Sequence, residues 1–210
     1  LAARLSEDPS VSVCLLEAGG EGRDLAIRMP FGTIAMISGR PRYNNWAYQT
    51  KPQAGLDGRR GYQPRGQALG GSSAINAMLY VRGHPTDYDH WASLGCAGWS
   101  YQVTQFWGGD RNGERCSAAA AYLHPVTGRR NLQVVTGAKA RRILFKGKRA
   151  VGVEYLTDKS QGVISARREV IVSCGAFGSP HLLMHSGIGP AAELSRHGIP
   201  LLHALPGVGQ

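Results

Sequence analysis

Acidic residues are scarce: 14 Asp and Glu stand against 24 Lys and Arg in 210 residues, a formal charge of +10. Such an excess points to a polyanion partner when the cations form a stripe interleaved with aromatic rings. The densest basic cluster, Lys139 to Arg149, instead alternates with apolar residues such as Ile143, Leu144 and Phe145 and runs on into Ala150 and Val151, the pattern of a ribbon with one solvated face. Net charge alone speaks to solubility and non-specific attraction, so no nucleic-acid partner is expected. Long apolar runs are missing too. None approaches the roughly 20 residues that cross a bilayer, and the opening Leu1-Ala2-Ala3-Arg4 has no basic start, apolar core and cleavage site. A cytoplasmic location is therefore expected. No initiator Met is present, and residue 1 is read as an interior position of a longer parent. The four cysteines, Cys14, Cys96, Cys116 and Cys174, lack metal-type spacing, and their small or apolar neighbours predict reduced, mostly buried thiols.

What is present is an ordinary globular composition, 42% apolar and 18% charged, enough for one large domain or two small ones. Residues 1 to 9 have helical composition and stop at Asp8-Pro9, because proline pushes the preceding residue out of the α region. Val11 to Leu16 is a short apolar run bounded by turn formers, the pattern of a buried parallel strand. It ends in Glu17-Ala18-Gly19-Gly20. A carboxylate at such a strand end can accept two hydrogen bonds from the vicinal hydroxyls of a ribose, although a solvated cap is the commoner use of a lone Glu. Residues 21 to 65 read as a long excursion with a short helix near Gly32 to Ile37, and long loops in compact domains are often functional.

Further on, residues 131 to 136 and 143 to 157 read as strands, with Gly147-Lys148 as a tight turn. Residues 169 to 173 read as another short buried strand. It leads into Cys174-Gly175-Ala176-Phe177-Gly178-Ser179-Pro180 and a helix over His181 to Ser186 with Pro180 in its first turn, and a further helix runs from Pro190 to His197. No G-x-G-x-x-G loop occurs anywhere in the sequence.

The most informative stretch is Gly66 to Asp89. Gly70-Gly71 followed by Ser72-Ser73 removes Cβ atoms and offers N–H and hydroxyl groups, which lets main chain approach a pyrophosphate or a planar ring. A glycine turn capped by serine would look the same. This stretch resembles, through its whole length, the first signature of the glucose/methanol/choline (GMC) oxidoreductases. Gly175 to Gly189, closing on Ser186-Gly187-Ile188-Gly189, resembles the second.

That resemblance implies an α/β fold: an FAD-binding, Rossmann-like, GMC-type domain, incomplete and with an inserted β-ribbon. It divides the chain into a first part of the FAD-binding domain, 1–101, and a second part, 102–210, with the substrate domain largely absent. Gly98 to Tyr101 resembles the family's lead into that substrate domain and Gln102 onward a much later stretch, so an internal segment is expected to be missing at Tyr101 and Gln102.

The implied cofactor is FAD. By motif position, Glu17 would hold the adenosine ribose, and Gly70, Gly71 and Ser72 would lie along the pyrophosphate; Ala18, Gly19, Arg65 and Leu69 are expected to contact the cofactor as well. Asn76, Ala77 and Met78 would approach the isoalloxazine, Ala140 would touch the adenine through its backbone, and Cys174, Gly175 and Ala176 would close over the adenosine end. Some relatives attach flavin through a histidine just before the asparagine of the first signature. Ile75 stands there, so the flavin is expected to be non-covalent.

No catalytic residue is expected among the 210, since the family's proton-accepting histidine belongs to its C-terminal part. His181 and His185, at i and i+4, have a spacing that could bind metal, but no third ligand is found and no metal is expected. The implied activity of the parent is oxidation of a primary alcohol to an aldehyde by hydride transfer to flavin. Dehydrogenases similar to the choline and aliphatic-alcohol enzymes fit better than oxidases. The partners implied are a small alcohol, an unspecified electron acceptor and peripheral association of the parent with a membrane. A nicotinamide enzyme, a basic polyanion-binding module and a non-catalytic remnant are the alternatives.

Overall fold

The computed structural model describes residues 1–38, 43–79, 83–100 and 113–210. In chain order the main elements are α1 (Ala2–Leu5), β1 (Val13–Leu16), α2 (Leu25–Arg28), α3 (Gly32–Ile37), β2 (Tyr48–Gln49), β3 (Tyr62–Gln63), α4 (Pro85–Ser93), β4 (Leu132–Val135), β5 (Lys139–Lys146), β6 (Arg149–Leu156), β7 (Gln161–Ser165), α5 (Gly175–His185), β8 (Ile188–Gly189), α6 (Ala191–Arg196) and β9 (His203–Ala204). No helix among the described residues is long and apolar enough to cross a membrane.

The two parts of the chain meet in a parallel pair, β1 with β4, in the register Val13↔Leu132 to Leu16↔Val135. A parallel pair needs a long crossover, and here most of the chain intervenes. One side chain helps to fix the register. The Asn131 amide Nδ2 donates to the carbonyls of Ser6, Asp8 and Val11 at 3.1, 3.0 and 2.9 Å, which holds the α1–β1 connection against the start of β4.

The ribbon is built differently. β5, β6 and β7 form an antiparallel sheet in sequence order, turning at Gly147, whose φ of +58° suits glycine. The register slips between Ala140 and Arg142, a bulge that leaves Arg141 as an extra residue. Its consequence is electrostatic. Consecutive arginines, which would otherwise point to opposite faces, both reach Glu154, at 2.9 Å from Arg141 Nη1 and 2.9 Å from Arg142 Nη2. Glu154 is buried at 3% exposure, and two cations with charge-assisted hydrogen bonds offset the desolvation of its carboxylate.

The core lies in two small clusters: Ile27, Met36, Ala68, Ala74 and Ile75 in one, and Leu69, Ala119, Leu123 and Leu132 in the other. Ala68 and Leu69 are adjacent and bury into different clusters. The extended chain through them therefore forms a partition with side chains alternating to either side.

Several expectations need correction. Residues 169–173 make no strand: they have no ladder partners among the described residues, and Ile171 is 46% exposed. An apolar run becomes a strand only where a neighbouring strand accepts its N–H and C=O groups. All four cysteines are free as expected, but exposed rather than buried; Cys14, for example, lies on β1, which has β4 as its one ladder neighbour among the described residues. α5 begins at Gly175, so Pro180 lies inside the helix and not in its first turn. The ribbon has three strands and starts at Lys139. The early helix is shorter, α1 alone, and the excursion after Glu17 contains α2 and the β2–β3 pair besides the expected α3. The expected break at Tyr101 and Gln102 lies outside the described residues.

Candidate cofactor site

Glu17 follows β1 directly. Its N–H donates to the Val135 carbonyl at 2.9 Å and its carbonyl accepts from Ala138 N–H at 2.9 Å, continuing the contact with the β4 end. The chain then turns, and Glu17 Oε1 accepts from Gly19 N–H at 2.8 Å. Burial raises the Glu17 carboxyl above its ordinary value, opposed by hydrogen bonds from the Gly19 and Ala18 backbone. A carboxylate has about four lone-pair directions, so one such bond leaves capacity for hydroxyl donors.

The turn is pressed against the first signature. An added Cβ on Gly19 would stand 1.9 Å from the Gln67 carbonyl oxygen, and one on Gly66 would stand 2.1 Å from that of Gly71. Both are main-chain contacts closer than any side chain allows. Gly20 pairs with Ala68 in a parallel bridge, and Leu69 N–H donates to Gly20 O at 2.9 Å. The acidic turn and the glycine-rich segment thus form one strap, with Leu69 buried as its anchor.

Along the strap Gly70 and Gly71 have φ of +93° and +55°, both left-handed. Gly70 is backed by Ala119, whereas above Gly71 no atom lies within 4 Å of an added Cβ, which leaves room for a ligand to touch main chain. Ser72 Oγ accepts from Gly66 N–H at 3.1 Å and holds the loop closed; its neighbour Ser73 donates to Gly70 O at 2.6 Å and accepts from Ala118 N–H at 2.8 Å. The serine pair is therefore already engaged in shaping the loop.

Asn76, Ala77 and Met78 are exposed, and Met78 has a left-handed φ of +57°. Their turn is fixed by a residue that the sequence did not flag. Arg115, 5% exposed, donates from Nη1 to Asn76 O at 2.7 Å and to Asn76 Oδ1 at 2.6 Å, from Nε to Ile27 O at 2.9 Å, and from Nη2 to Thr33 Oγ1. Burial lowers its guanidinium below the ordinary value. Nothing in a pattern of residue types announces an arginine that is buried against carbonyls. Ile75, by contrast, turns inward at 3% exposure, so the position where some relatives carry a flavin-linking histidine belongs to the core.

At the other end, Cys174 caps the start of α5 and Gly175 takes a φ of +79°. Partial desolvation, with a smaller contribution from the charge of Glu17, raises the Cys174 thiol. Also unforeseen is a group of rings there. Trp46 stacks on Tyr48 at 5.8 Å, Phe177 meets Tyr48 edge-on at 5.8 Å, and the Arg65 guanidinium covers Phe177 at 4.7 Å. Ala47, between Trp46 and Tyr48, has a left-handed φ of +49°, so this stack is not the one-face pairing of extended chain and its i, i+2 spacing carried no strand signal. Ala140 lies on β5 opposite Tyr155. His84 caps α4, its Nδ1 accepting from Thr86 N–H at 3.4 Å.

A parallel strand ending in a half-buried acid, strapped to a positive-φ glycine pair, defines an α/β protein of the dinucleotide-binding class. The chain belongs to the GMC oxidoreductase family, whose model matches residues 9–107 and 102–210. FAD is the cofactor of that family, and its FAD-binding domain is the fold class of this chain. The chain is 37% identical to an alcohol dehydrogenase [acceptor] of Pseudomonas putida and 38% identical to the mitochondrial choline dehydrogenase of Homo sapiens. All of this chain is covered in both cases, with 50% and 47% of those proteins. It thus spans about half the length of these curated relatives. The first alignment runs over 281 positions although this chain supplies 210 residues, so it contains positions that this chain lacks. Among solved structures, pyridoxine 4-oxidase from Mesorbium loti superposes with a TM-score of 0.85 at 30% identity, covering 98% of this chain and 53% of that one. An FAD-dependent oxidoreductase from Chaetomium thermophilum gives 0.81 at 27%, covering 100% and 49%.

Proposed function

We propose that this chain is the cofactor-holding part of an enzyme that oxidises a primary alcohol to an aldehyde, working as a dehydrogenase. The observation that carries the reading is the strap. Glu17 and the Gly70–Gly71 pair, unconnected in sequence, are joined by main-chain contacts that only Gly19 and Gly66 permit, and they offer an acceptor and a bare backbone along one path.

In this reading Glu17, with Ala18 and Gly19, accepts hydrogen bonds from the ribose of FAD. Arg65, Leu69, Gly70, Gly71 and Ser72 border the pyrophosphate, and Asn76, Ala77 and Met78 meet the ring system. The Ala140 backbone and Cys174, Gly175 and Ala176 enclose the adenosine end. FAD, when bound, supplies the acceptor for the hydride of the alcohol. The chain's own residues bind and orient: Arg115 fixes the Asn76 turn, and Ser72 and Ser73 hold the glycine loop in the shape that leaves Gly71 bare for close approach. No described residue is assigned to take the alcohol proton. The 210-residue chain alone is therefore expected to show no turnover of a primary alcohol with an artificial electron acceptor. Turnover above a no-protein control would refute that assignment.

Holding FAD is tested in a form extended by a glycine-loop strand before residue 1. There Glu17→Ala should weaken FAD binding by about 1 to 3 kcal/mol, the scale of charge-assisted hydrogen bonds; unchanged affinity would reduce Glu17 to a strand cap. The bound flavin is held without a covalent link, because Ile75 offers no nucleophile and is buried. It should leave with the acid-soluble fraction when the protein is precipitated, and fluorescence retained on the denatured polypeptide would contradict this.

A further inference from the structure

His181 and His185 lie one turn apart near the end of α5, both exposed and both outside the residues assigned to FAD. Their Nε2 atoms are 3.2 Å apart, with ring centroids at 4.4 Å and ring planes at 65°. That separation has a chemical meaning. Metal–imidazole bonds of about 2.0–2.1 Å, opened at angles between octahedral and tetrahedral, put two ligand nitrogens about 2.9 to 3.4 Å from each other. The pair is already spaced as two neighbouring ligands of one ion, without a change of backbone.

With no ion between them, two lone pairs this close are attractive only when one Nε2 carries a hydrogen and donates to the other. A cation would take the place of that hydrogen, which moves to Nδ1 of the donor ring, so that each neutral ring keeps one N–H and offers its Nε2 lone pair to the ion. Desolvation first, then the charges of His185 and Lys139, hold His181 below the ordinary imidazole value. The Lys139 ammonium is itself held over the Trp46 ring at 5.5 Å.

We propose that His181 and His185 form a two-point site for a divalent transition-metal ion of the nickel, copper and zinc class. Imidazole favours these ions, whereas magnesium and calcium require oxygen ligands. Among the described residues no group of three or more His, Cys, Asp and Glu is gathered for a metal. Water completes the coordination shell, so the ion exchanges freely and staples the last turn of α5 without being needed for folding.

The test is a calorimetric titration of the 210-residue chain with nickel chloride at pH 7.5, repeated on His181→Gln and His185→Gln. Both positions are exposed, and circular dichroism checks that each variant folds. The wild-type chain should bind one saturable equivalent of nickel, reversibly, and none of magnesium. Either substitution should weaken nickel binding by roughly tenfold or more, the loss expected when a ligand is removed from a site where even supporting residues matter that much. Nickel should also slow hydrogen exchange of the last turn of α5 in the wild type alone. Absence of a saturable equivalent, or the same affinity in both variants, would overturn the proposal; the second outcome would assign the ion to other groups, such as the exposed thiols.

Discussion

The β5–β6–β7 ribbon and the strap joining residues 17–20 to 66–71 are held together by opposite means. In the ribbon each strand pairs with its sequence neighbour, and its one deeply buried charge, Glu154, is matched by two arginines from the adjacent strand. The strap joins distant segments through main chain, with glycines where a methyl group would collide. Local pairing costs little loop entropy and tolerates substitution, whereas a distant main-chain contact has no side chain that could move aside. The ribbon should survive damage to the strap, and the strap should not survive a single added carbon.

Gly19→Ala tests the contrast most severely. Its Cβ would fall 1.9 Å from Gln67 O, a collision that only backbone movement relieves, and a loss of more than about 4 kcal/mol is expected in urea unfolding. Hydrogen exchange should show the amides of β5, β6 and β7 still protected; simultaneous loss of that protection would break the comparison. Arg115→Ala comes next. It removes charged donors from Asn76, Ile27 and Thr33 together, and a destabilisation of about 2 to 4 kcal/mol is expected, with exchange rising first in the turn at Asn76.

Glu154→Gln sharpens the other side. The two arginines are half-exposed, so solvent takes over part of their lost pairing, and about 1 to 2 kcal/mol should be lost, confined to the ribbon. The smallest effect belongs to Glu17→Gln, and its sign is the informative part. Burial raises the Glu17 carboxyl in the folded chain, so folding favours the protonated form. That stability is complete below the unfolded value and lost as pH rises through the folded one. At pH 7 the neutral amide should therefore raise the melting temperature of the chain without FAD, and the gain should vanish below about pH 4. A fall at pH 7 would mean that Glu17 is a stabilising cap and not a poised acceptor.

The same contrast explains how much was legible in the sequence. The ribbon could be read from alternation around Gly147-Lys148, because its information is local. The run Val11 to Leu16 was read correctly as a parallel strand and residues 169–173 were not, although both are short and apolar; among the described residues only the first finds a partner, β4, and pairing is a property of the whole chain. The positions of Gly19, Gly70 and Gly71 were legible as motif, but the reason for Gly19, the Gln67 carbonyl, was not. The aromatic group of Trp46, Tyr48 and Phe177 and the buried Arg115 escaped notice for the same reason: their partners come from remote segments, and a buried cation bonded to carbonyls leaves no trace in residue spacing. The four cysteines misled because apolar neighbours in sequence do not guarantee cover in space.

The contact between Gly19 and Gln67 also acts as a ruler. It locks the acidic turn to the loop that carries Gly70 and Gly71, and Arg115 in turn anchors the Asn76 turn a few residues beyond. The interval from the acidic turn to the glycine pair is therefore set by main chain, and the further step to Asn76 by the buried Arg115 side chain. A ligand that engages both ends must match that interval in its own covalent length. Mononucleotides would reach one end only, and lengthening or shortening the bridge between two nucleotide halves would forfeit one set of contacts completely.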